Sequence, residues 1–265
     1  MRREYRVQIF VIDAFTDAPF RGNPAGVVLG HGDDAWMQSV AAEMKHSETA
    51  FVRPRANGHD LRWFTPTIEV DLCGHATLAS AHALYEAEGI ERTTFHTRSG
   101  PLGTVRNDDG SITMDFPATV PEPQAPIAAL LDVFGVEPVE FLHTEAEFFM
   151  LVLESASLVR KVAPDFERLR RVGGVRGVYV TARSDDPDYD VVSRCFAPAV
   201  GIDEDPVTGS MHCVLAAYWC PRLGIETLRG FQGSARGGAM TARLAGDRAH
   251  LTGCATTVLR GELTS

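Results

Sequence analysis

Glu48 is the first side chain of this 265-residue chain whose type and position suit acid–base chemistry. It lies in the run His-Ser-Glu-Thr-Ala and directly precedes a strand-like run, residues 49–52. Burial beside apolar residues raises the pKa of a carboxyl group toward neutral pH, which is what a general base requires. The alternative is a solvated turn glutamate, which is the usual state of this residue type.

Cys73 and His75 form a second candidate pair, in the segment Asp-Leu-Cys-Gly-His-Ala-Thr over residues 71–77. A helix of small residues is predicted over 75–87, opened by Gly74, so both side chains lie near its N-terminus. The helix dipole there favours a neutral imidazole and a thiol of lowered pKa. His75 could therefore donate a hydrogen bond or exchange a proton, and Cys73 could act as a thiolate base. A hydrogen-bonding histidine without chemistry and a small buried cysteine are the alternatives.

A third segment, residues 203–210, carries three consecutive acidic residues followed by Pro-Val-Thr-Gly-Ser. Acidic residues before a helix ordinarily serve as N-cap and first-turn charges. Asp205 could instead hydrogen-bond an amine or hydroxyl group of a substrate, and Ser210 could donate a hydrogen bond to an anion. Because no Gly-x-Ser-x-Gly motif surrounds Ser210, a hydrolase nucleophile is disfavoured.

The elements that position these residues are predicted from periodicity and composition. Alternating or β-branched runs predict strands, and apolar residues spaced by three and four predict helices. The predicted strands are 7–15, 25–29, 49–52, 62–64, 148–153, 177–181, 190–196, 240–244, 250–252 and 256–259, and the predicted helices are 34–45, 75–87, 127–134 and 211–219.

A repeat connects two of the three candidate segments. Residues 62–66 (Arg-Trp-Phe-Thr-Pro) and 194–198 (Arg-Cys-Phe-Ala-Pro) share the pattern Arg-x-Phe-small-Pro. Each copy is followed by a glycine, Gly74 or Gly209, that opens a helix of small residues. The shared order of strand, turn, glycine and helix indicates a duplicated half-domain.

The duplication also predicts how the chain divides. Residues 117–126 contain four prolines and few helix or strand formers, which is typical of a linker. We therefore expect half-domains over 1–117 and 118–265, with the last strand able to pack on the first half. Related halves meet at a cleft, where the helix N-termini at Gly74 and Gly209 would offer backbone N–H groups to a carboxylate.

Composition and charge narrow the classes of function. The formal net charge is −10 at pH 7, which argues against nucleic acid as a partner because its binding proteins usually carry a basic surface. The longest apolar runs are far shorter than the ~20 residues of a membrane helix. The five cysteines are odd in number and scattered, which favours a reducing cytoplasm over a disulfide framework. Because no Cys-x-x-Cys or His-Glu-x-x-His motif occurs, we expect no metal site.

Five motifs spread over nearly the whole chain point to one family. They are Asp-Ala-Phe-Thr-x-x-Pro-Phe-x-Gly-Asn-Pro-Ala (13–25), Ser-Glu-Thr-Ala-Phe-Val (47–52), Cys-Gly-His-Ala-Thr (73–77), Glu-Asp-Pro-Val-Thr-Gly-Ser (204–210) and Gln-Gly-Ser-Ala-Arg-Gly-Gly (232–238). With these motifs the chain resembles the PhzF-like (phenazine-biosynthesis-like) proteins, which share the diaminopimelate-epimerase-type fold. The resemblance implies an α/β (α+β) fold of two similar half-domains, each a mixed β-barrel-like sheet around a central helix, related by a pseudo-two-fold axis.

The resemblance also implies an activity and a site. The residues that match the family's site are Glu48 as the catalytic proton carrier and, as substrate-binding residues, His75, Asp205, Ser210, Gly74 and Gly209. The implied reaction is an isomerisation in which a proton shifts on a small carboxylate-bearing substrate, as in the family's allylic isomerisation of a dihydro-hydroxyanthranilate. We expect no cofactor, no metal and no membrane or nucleic-acid partner, and we expect a homodimer.

Two other functions stay open. Related epimerases use two opposed cysteines, one from each half. Cys73 matches the first of them, whereas residues 207–209 of the second half read Val-Thr-Gly. A racemase or epimerase would therefore have to combine Cys73 with a second base that is not a thiol. The remaining alternative is a protein that binds a ligand without turnover, in which Glu48 carries no chemistry.

Overall fold

The chain divides into two units. The computed structural model describes residues 7–144 and 147–264. The first unit consists of residues 7–115 together with 252–264, and the second unit of residues 116–251. The chain therefore passes into the second unit near its proline-rich stretch and returns to the first unit near its C-terminus.

The first unit is a mixed sheet with one long and one shorter helix. In chain order its elements are β1 (Val7–Ala14), β2 (Asn23–Leu29), α1 (Asp34–Met44), β3 (Thr49–Arg55), β4 (Gly58–Phe64), β5 (Glu69–Val70), α2 (Gly74–Glu88), β6 (Arg92–Thr97), β7 (Gly100–Arg106) and β8 (Ile112–Pro117). The pairs β2/β3 and β4/β6 are parallel, whereas β1/β2, β3/β4, β4/β5, β6/β7 and β7/β8 are antiparallel.

The helix α2 is the centre of the first unit. Every residue from His75 to Leu84 is buried, and the helix contacts β1, β2, β3 and β7. A helix enclosed on all sides lacks a polar face, and its small side chains allow the strands to approach it closely. Its buried hydroxyl groups bond within the helix: Thr77 Oγ1 donates to the Cys73 carbonyl (2.6 Å) and Ser80 Oγ to the Ala76 carbonyl (2.7 Å).

The second unit contains the same kinds of element. In chain order they are β9 (Glu122–Pro123), α3 (Ala128–Phe134), β10 (Glu140–Thr144), β11 (Phe148–Val152), α4 (Ala156–Lys161), α5 (Phe166–Arg170), β12 (Gly177–Arg183), β13 (Val191–Ala197), a 3-10 turn (Pro198–Val200), β14 (Ile202–Asp205), α6 (Gly209–Leu223), β15 (Thr227–Gln232), β16 (Gly238–Ala245) and β17 (Arg248–Gly253). Its apolar core includes Leu151, Val180 and Phe196, packed against residues of α3 and α4.

Strand pairing in the second unit repeats that of the first. The pairs β10/β11, β12/β13, β13/β14 and β15/β16 are antiparallel and the pairs β11/β12 and β13/β15 are parallel. These correspond one by one to β1/β2, β3/β4, β4/β5, β6/β7, β2/β3 and β4/β6. The predicted α/β fold with two similar half-domains is therefore confirmed.

The long helices of the two units also correspond. Helices α2 and α6 have 15 residues each, begin at a glycine, and end at a left-handed glycine, Gly89 or Gly224. The helix predicted over 211–219 thus extends further at both ends. Within the described residues, no helix combines the length and apolar character that crossing a membrane requires.

The C-terminal strand belongs to the first unit. β18 (Ala255–Leu263) pairs antiparallel with β1, in a register that runs from Val7 opposite Leu263 to Ala14 opposite Ala255. The prediction placed half-domains at 1–117 and 118–265 and allowed the last strand to pack on the first half, and the division in the structure assigns residues 252–264 to the first unit.

The sequence repeat corresponds to a repeated ion pair. Arg62 donates from Nε and Nη2 to the two carboxylate oxygens of Glu69, both at 2.7 Å. In the second unit Arg194 donates in the same way to Glu204, at 2.7 and 2.9 Å. Each guanidinium also lies over the ring of the phenylalanine two residues on, Phe64 or Phe196. The repeat therefore encodes a strand pair held by a bidentate arginine–carboxylate contact.

Neutralising either carboxylate should destabilise the fold. We expect Glu69→Gln and Glu204→Gln to lower the free energy of unfolding by about 1–3 kcal/mol, because each removes charged hydrogen bonds from a partly buried guanidinium. The loss should be larger for Glu204→Gln, since the Arg194 side chain is 13% exposed and that of Arg62 is 31% exposed. Denaturant titration measures both, with exposed Glu226→Gln as the control. Equal stability of all three variants would contradict the structural role.

Candidate active site

The loop between β1 and β2 places Asn23 in the interior of the first unit. The Asp13 carboxylate accepts a hydrogen bond from the Phe20 backbone N–H (2.6 Å). Gly22 has a φ of +62°, and a Cβ at this position would lie 2.1 Å from the Ala14 carbonyl oxygen. Only glycine fits this turn. Asn23 follows directly at the start of β2 and is fully buried.

Glu48 is positioned by the connection between α1 and β3. The helix ends at the left-handed residue Lys45, and the Glu48 carbonyl accepts a hydrogen bond from the Gly26 N–H (3.3 Å) where β3 begins. The Glu48 side chain is only 13% exposed. Burial raises the pKa of its carboxyl group, and hydrogen bonds from Ser47 and Cys73 act in the opposite direction.

His75 links these two segments at the N-terminus of α2. Its Nδ1 lies 3.2 Å from Asn23 Nδ2, and its Nε2 lies 3.3 Å from Glu48 Oε2 and 3.4 Å from Ser47 Oγ. With the Asn23 amide oriented so that its nitrogen faces the ring, Nδ1 accepts and the proton of a neutral ring is on Nε2. The imidazole therefore directs an N–H group at the Glu48 carboxylate.

Cys73 completes what we call the acid–base cluster: Asn23, Ser47, Glu48, Cys73 and His75. Its Sγ lies 3.5 Å from His75 Nδ1, and its backbone is the extended N-cap of α2. The carboxyl group, the thiol and the imidazole therefore face one another in a mostly buried site. A carboxyl of raised pKa, held by neutral hydrogen-bond donors, can both accept and return a proton near neutral pH.

The second unit holds the other predicted residues in one loop. Asp205 accepts a hydrogen bond from Thr208 Oγ1 (2.5 Å). Gln232 spans this loop: its Nε2 donates to the Asp205 carbonyl (2.7 Å) and its Oε1 accepts from the Thr208 N–H (2.7 Å). Ser234 Oγ donates to the Pro206 carbonyl (2.8 Å). The segment 232–238 therefore acts as a clamp on the segment 204–210.

Gly209 and Ser210 form the first turn of α6, where Ser210 is exposed. The side chains of the N-cap residues Cys73 and Thr208 make no capping hydrogen bond to the described residues of their helices. In α1, by contrast, the Asp33 carboxylate accepts from the Trp36 N–H (2.8 Å). The two long helices thus keep N-terminal N–H groups that no N-cap side chain covers.

Comparison with known proteins decides the family. The family model described as "phenazine biosynthesis-like protein" matches residues 12–261. The chain belongs to this family. Uncharacterised isomerases of Halalkalibacterium halodurans and Pseudomonas aeruginosa are 44% and 46% identical to it, with 96% of this chain and 97% and 98% of the relatives covered. At this similarity over nearly full length, the PhzF-like chain is an isomerase.

Solved structures agree with this family. A PhzF-family protein of Enterococcus faecalis superposes with a TM-score of 0.93 at 36% identity, covering 98% of this chain and 100% of the other. A hydroxyproline epimerase from Agrobacterium vitis superposes with a TM-score of 0.64 at 15% identity, covering 99% of this chain and 94% of the other. The second likeness shows a shared fold alone.

The duplication of this PhzF-like chain does not extend to its acid–base residues. Cys73 and Thr208 occupy the same position, the N-cap of a 15-residue helix. Strand register aligns Glu48 with Gly177, because Phe64 lies opposite Thr49 and Phe196 lies opposite Val178. A Cβ at Gly177 would lie 2.3 Å from the Phe148 ring. The second unit therefore has neither the thiol nor space for the carboxylate.

The predicted site residues fall into one group in each unit. Glu48, Cys73, Gly74 and His75 converge in the first unit, whereas Asp205, Gly209 and Ser210 lie in the second. No role was predicted from the sequence for Asn23, Ser47 or Gln232. Each lies inside a motif that was identified, but the bond of Asn23 to His75 joins residues 52 positions apart, which no local pattern reveals.

The acid–base cluster also contains a set of metal-ligand atoms. One atom each from Glu48, Cys73 and His75 can be chosen so that all three lie within 4.8 Å of one another. The prediction that no metal site exists was drawn from short motifs, and Glu48 is too distant from Cys73 along the chain to belong to one. No cofactor-binding motif was predicted. Among the described residues, this cluster is the only group of three or more His, Cys, Asp or Glu side chains that could hold a metal ion.

The burial of Glu48 predicts a pH-dependent stability. Because its pKa is raised above 4.5 in the folded protein, Glu48 stabilises the fold fully below about pH 4.5, and this contribution is lost as the pH rises through the folded-state pKa. Glu48→Gln keeps the shape without the charge. Its free energy of unfolding, relative to wild type, should therefore increase from about pH 4 to about pH 8. Urea titrations across this range test it, with Glu226→Gln as the control; a pH-independent difference would contradict it.

Proposed function

We propose that this chain is a cofactor-independent isomerase that shifts a proton on a small carboxylate-bearing substrate, with Glu48 as both acid and base. The observation that carries the proposal is the placement of the Glu48 carboxyl group, mostly buried and 3.3 Å from His75 Nε2. Burial raises its pKa, so that at neutral pH it can take a proton and release it again.

The proton shift uses one carboxylate for two transfers. Ionised Glu48 removes a proton from an sp³ carbon of the substrate, leaving an allylic anion, and its protonated form then donates a proton to another carbon on the same face. No net proton is consumed, and because protonated Glu48 exchanges its proton with solvent between the two transfers, turnover in D₂O places deuterium in the product. The His75 Nε2–H donates to the carboxylate while it is ionised, and Asn23 holds the ring in the tautomer that makes this possible.

Substrate binding is assigned to the uncapped helix ends. The N–H groups at Gly74 and Gly209 suit a carboxylate, since helix N-termini bind anions. We assign Asp205 and Ser210 to substrate binding because they match the family's motif and because Gln232 fixes the loop that carries them. His75 also matches the family's motif. We therefore assign it a role in polarising the substrate in addition to its bond to Glu48.

An epimerase is the second candidate, supported by the thiol of Cys73 at a helix N-terminus. A symmetric pair of thiols is absent from the described residues, because Thr208 occupies the equivalent N-cap. A racemase or epimerase would need another second base, and Gly177 stands at the position equivalent to Glu48. The one-base shift requires no partner from the second unit and is therefore preferred. A ligand-binding protein without turnover would need no carboxyl group of raised pKa.

The decisive experiment compares Glu48→Gln with Cys73→Ala. A panel of small carboxylic acids is screened by thermal shift, and each ligand found is incubated with enzyme in D₂O and followed by NMR. Glu48→Gln should lower the rate of deuterium incorporation by at least about 10²–10⁴, the contribution of a positioned general base, while binding persists. Cys73→Ala should have a smaller effect, because the thiol makes contacts but does not transfer the proton.

Three outcomes separate the candidate functions. Loss of exchange in Cys73→Ala with retention in Glu48→Gln would replace the isomerase with a thiol-based epimerase. Inversion of a stereocentre without a shifted double bond would do the same. Binding with neither solvent-proton exchange nor a rearranged product in the wild-type protein would establish the ligand-binding function. The product spectrum therefore decides among the three whichever carboxylic acid proves to be the substrate.

We also propose a homodimer in a reducing cytoplasm. All five cysteines lie within the described residues and are free thiols, which supports a reducing compartment. The dimer rests on the family resemblance, and analytical ultracentrifugation of the full chain tests it.

A further inference from the structure

The ligand atoms of the acid–base cluster lie close to the spacing of tetrahedral metal coordination. Zinc binds sulfur at about 2.3 Å and imidazole nitrogen at about 2.0–2.1 Å, so tetrahedral ligands lie about 3.6 Å apart for S and N and about 3.4 Å apart for N and O. Cys73 Sγ lies 3.5 Å from a ring nitrogen of His75, and Glu48 Oε2 lies 3.3 Å from the other. The thiol thus faces Nδ1 and the carboxylate faces Nε2, and one ligand atom from each of the three residues lies within 4.8 Å of the other two.

We propose that Glu48, Cys73 and His75 form a binding site for a divalent cation of borderline softness, Zn²⁺ or Co²⁺, with a fourth position open to water or a ligand carboxylate. A thiolate, an imidazole and a carboxylate are the donor set that zinc prefers. Hard cations such as Mg²⁺ and Ca²⁺ prefer oxygen donors and are excluded by the same set. This site goes beyond the proposed function, because metal binding requires no turnover.

Binding needs side-chain rotation within the cluster. All three ligand atoms lie within 4.8 Å of one another, so the metal would take one ring nitrogen and the donor that faces the other nitrogen would rotate toward it. If the metal takes Nδ1, it replaces the contact from Asn23 Nδ2 (3.2 Å). Cys73 loses its thiol proton to solvent when the metal–sulfur bond forms, so affinity increases with pH.

Occupancy of this site removes the base. A carboxylate bonded to Zn²⁺ cannot accept a substrate proton, so the metal should inhibit the enzyme and a chelator should restore it. The acid–base cluster would therefore make the isomerase sensitive to thiophilic metals, unlike enzymes whose catalytic carboxylate has no thiol and imidazole beside it.

Cobalt provides a direct readout of the proposed ligands. The full chain, freed of metal by a chelator and dialysed, is titrated with Co²⁺, and tetrahedral thiolate coordination is followed by its intense visible and sulfur-to-cobalt absorption bands. We expect one Co²⁺ per chain, displaced by Zn²⁺ but not by Mg²⁺. Cys73→Ser and His75→Gln should each weaken binding at least about 100-fold, since removing even an outer-shell partner costs 10–100-fold.

Cys254→Ser is the matched control, because Cys254 is a partly exposed thiol outside the cluster. It should leave the spectrum and affinity unchanged. Zn²⁺ should raise the melting temperature of wild type and of Cys254→Ser but not that of Cys73→Ser, and circular dichroism checks that each variant is folded. Absence of the sulfur-to-cobalt band in wild type, or its equal loss in the Cys254 variant, would overturn the proposal.

The cobalt titration can fail or succeed independently of the proton-exchange experiment that tests the proposed function. If Co²⁺ binds through Cys73 while Glu48→Gln retains proton exchange, the acid–base assignment fails and the metal site stands. If Glu48→Gln abolishes exchange while no Co²⁺ binds, only the metal site fails.

Discussion

Burial of helix α2 from His75 to Leu84 is the constraint on which the first unit depends. A helix enclosed by strands has no solvent-facing side, so its side chains must be small and its polar groups must bond internally. Most of helix α2 follows this rule, with alanine, serine and threonine at many positions and hydroxyl groups bonded one turn back, whereas the buried Nδ1 of His82 has no hydrogen-bond partner among the described residues. Its N-terminus then ends inside the protein, and Cys73 and His75 are buried because the helix is.

The same burial determines the character of Glu48. The strand β3 must begin beside β2 to continue the sheet, which leaves the residue before it next to the start of α2. A carboxylate in this position loses hydration, and the donors around it recover only part of that loss. The ionised form of Glu48 therefore lowers the free energy of unfolding. The same burial gives the carboxyl group a pKa that suits proton transfer.

Sequence patterns predicted the core elements well because buried apolar residues recur with the period of the helix or strand that contains them. The helix predicted over 75–87 occurs as Gly74–Glu88, and the repeat of residues 62–66 at 194–198 marks equivalent strands. The hairpin of β6 and β7 was not predicted, because its strands are rich in threonine, arginine and glycine and bury few large apolar residues. The second long helix continues past Pro221 to a glycine cap, since packing within the core offsets the one backbone bond that proline cannot make.

Some residues of the candidate site could likewise be predicted from the sequence and others could not. Glu48, Cys73 and His75 could be selected by residue type and by their positions next to predicted elements. The contact of Asn23 with His75 could not, because it depends on how a left-handed turn at Gly22 directs the chain. Clusters assembled from distant segments are properties of packing, and metal-ligand sets of this kind escape searches based on spacing along the chain.

Gly177 limits how this protein can change over evolutionary time. Duplicated halves begin as equals, yet the position that corresponds to Glu48 now has a phenylalanine ring where a side chain would have to emerge. A side chain introduced there would meet the Phe148 ring, so that ring has to move aside or become smaller before the position can hold a carboxylate. The step from a one-sided catalyst to a two-sided one thus requires a change at two positions, and space beside Gly177 preserves the difference between the two halves.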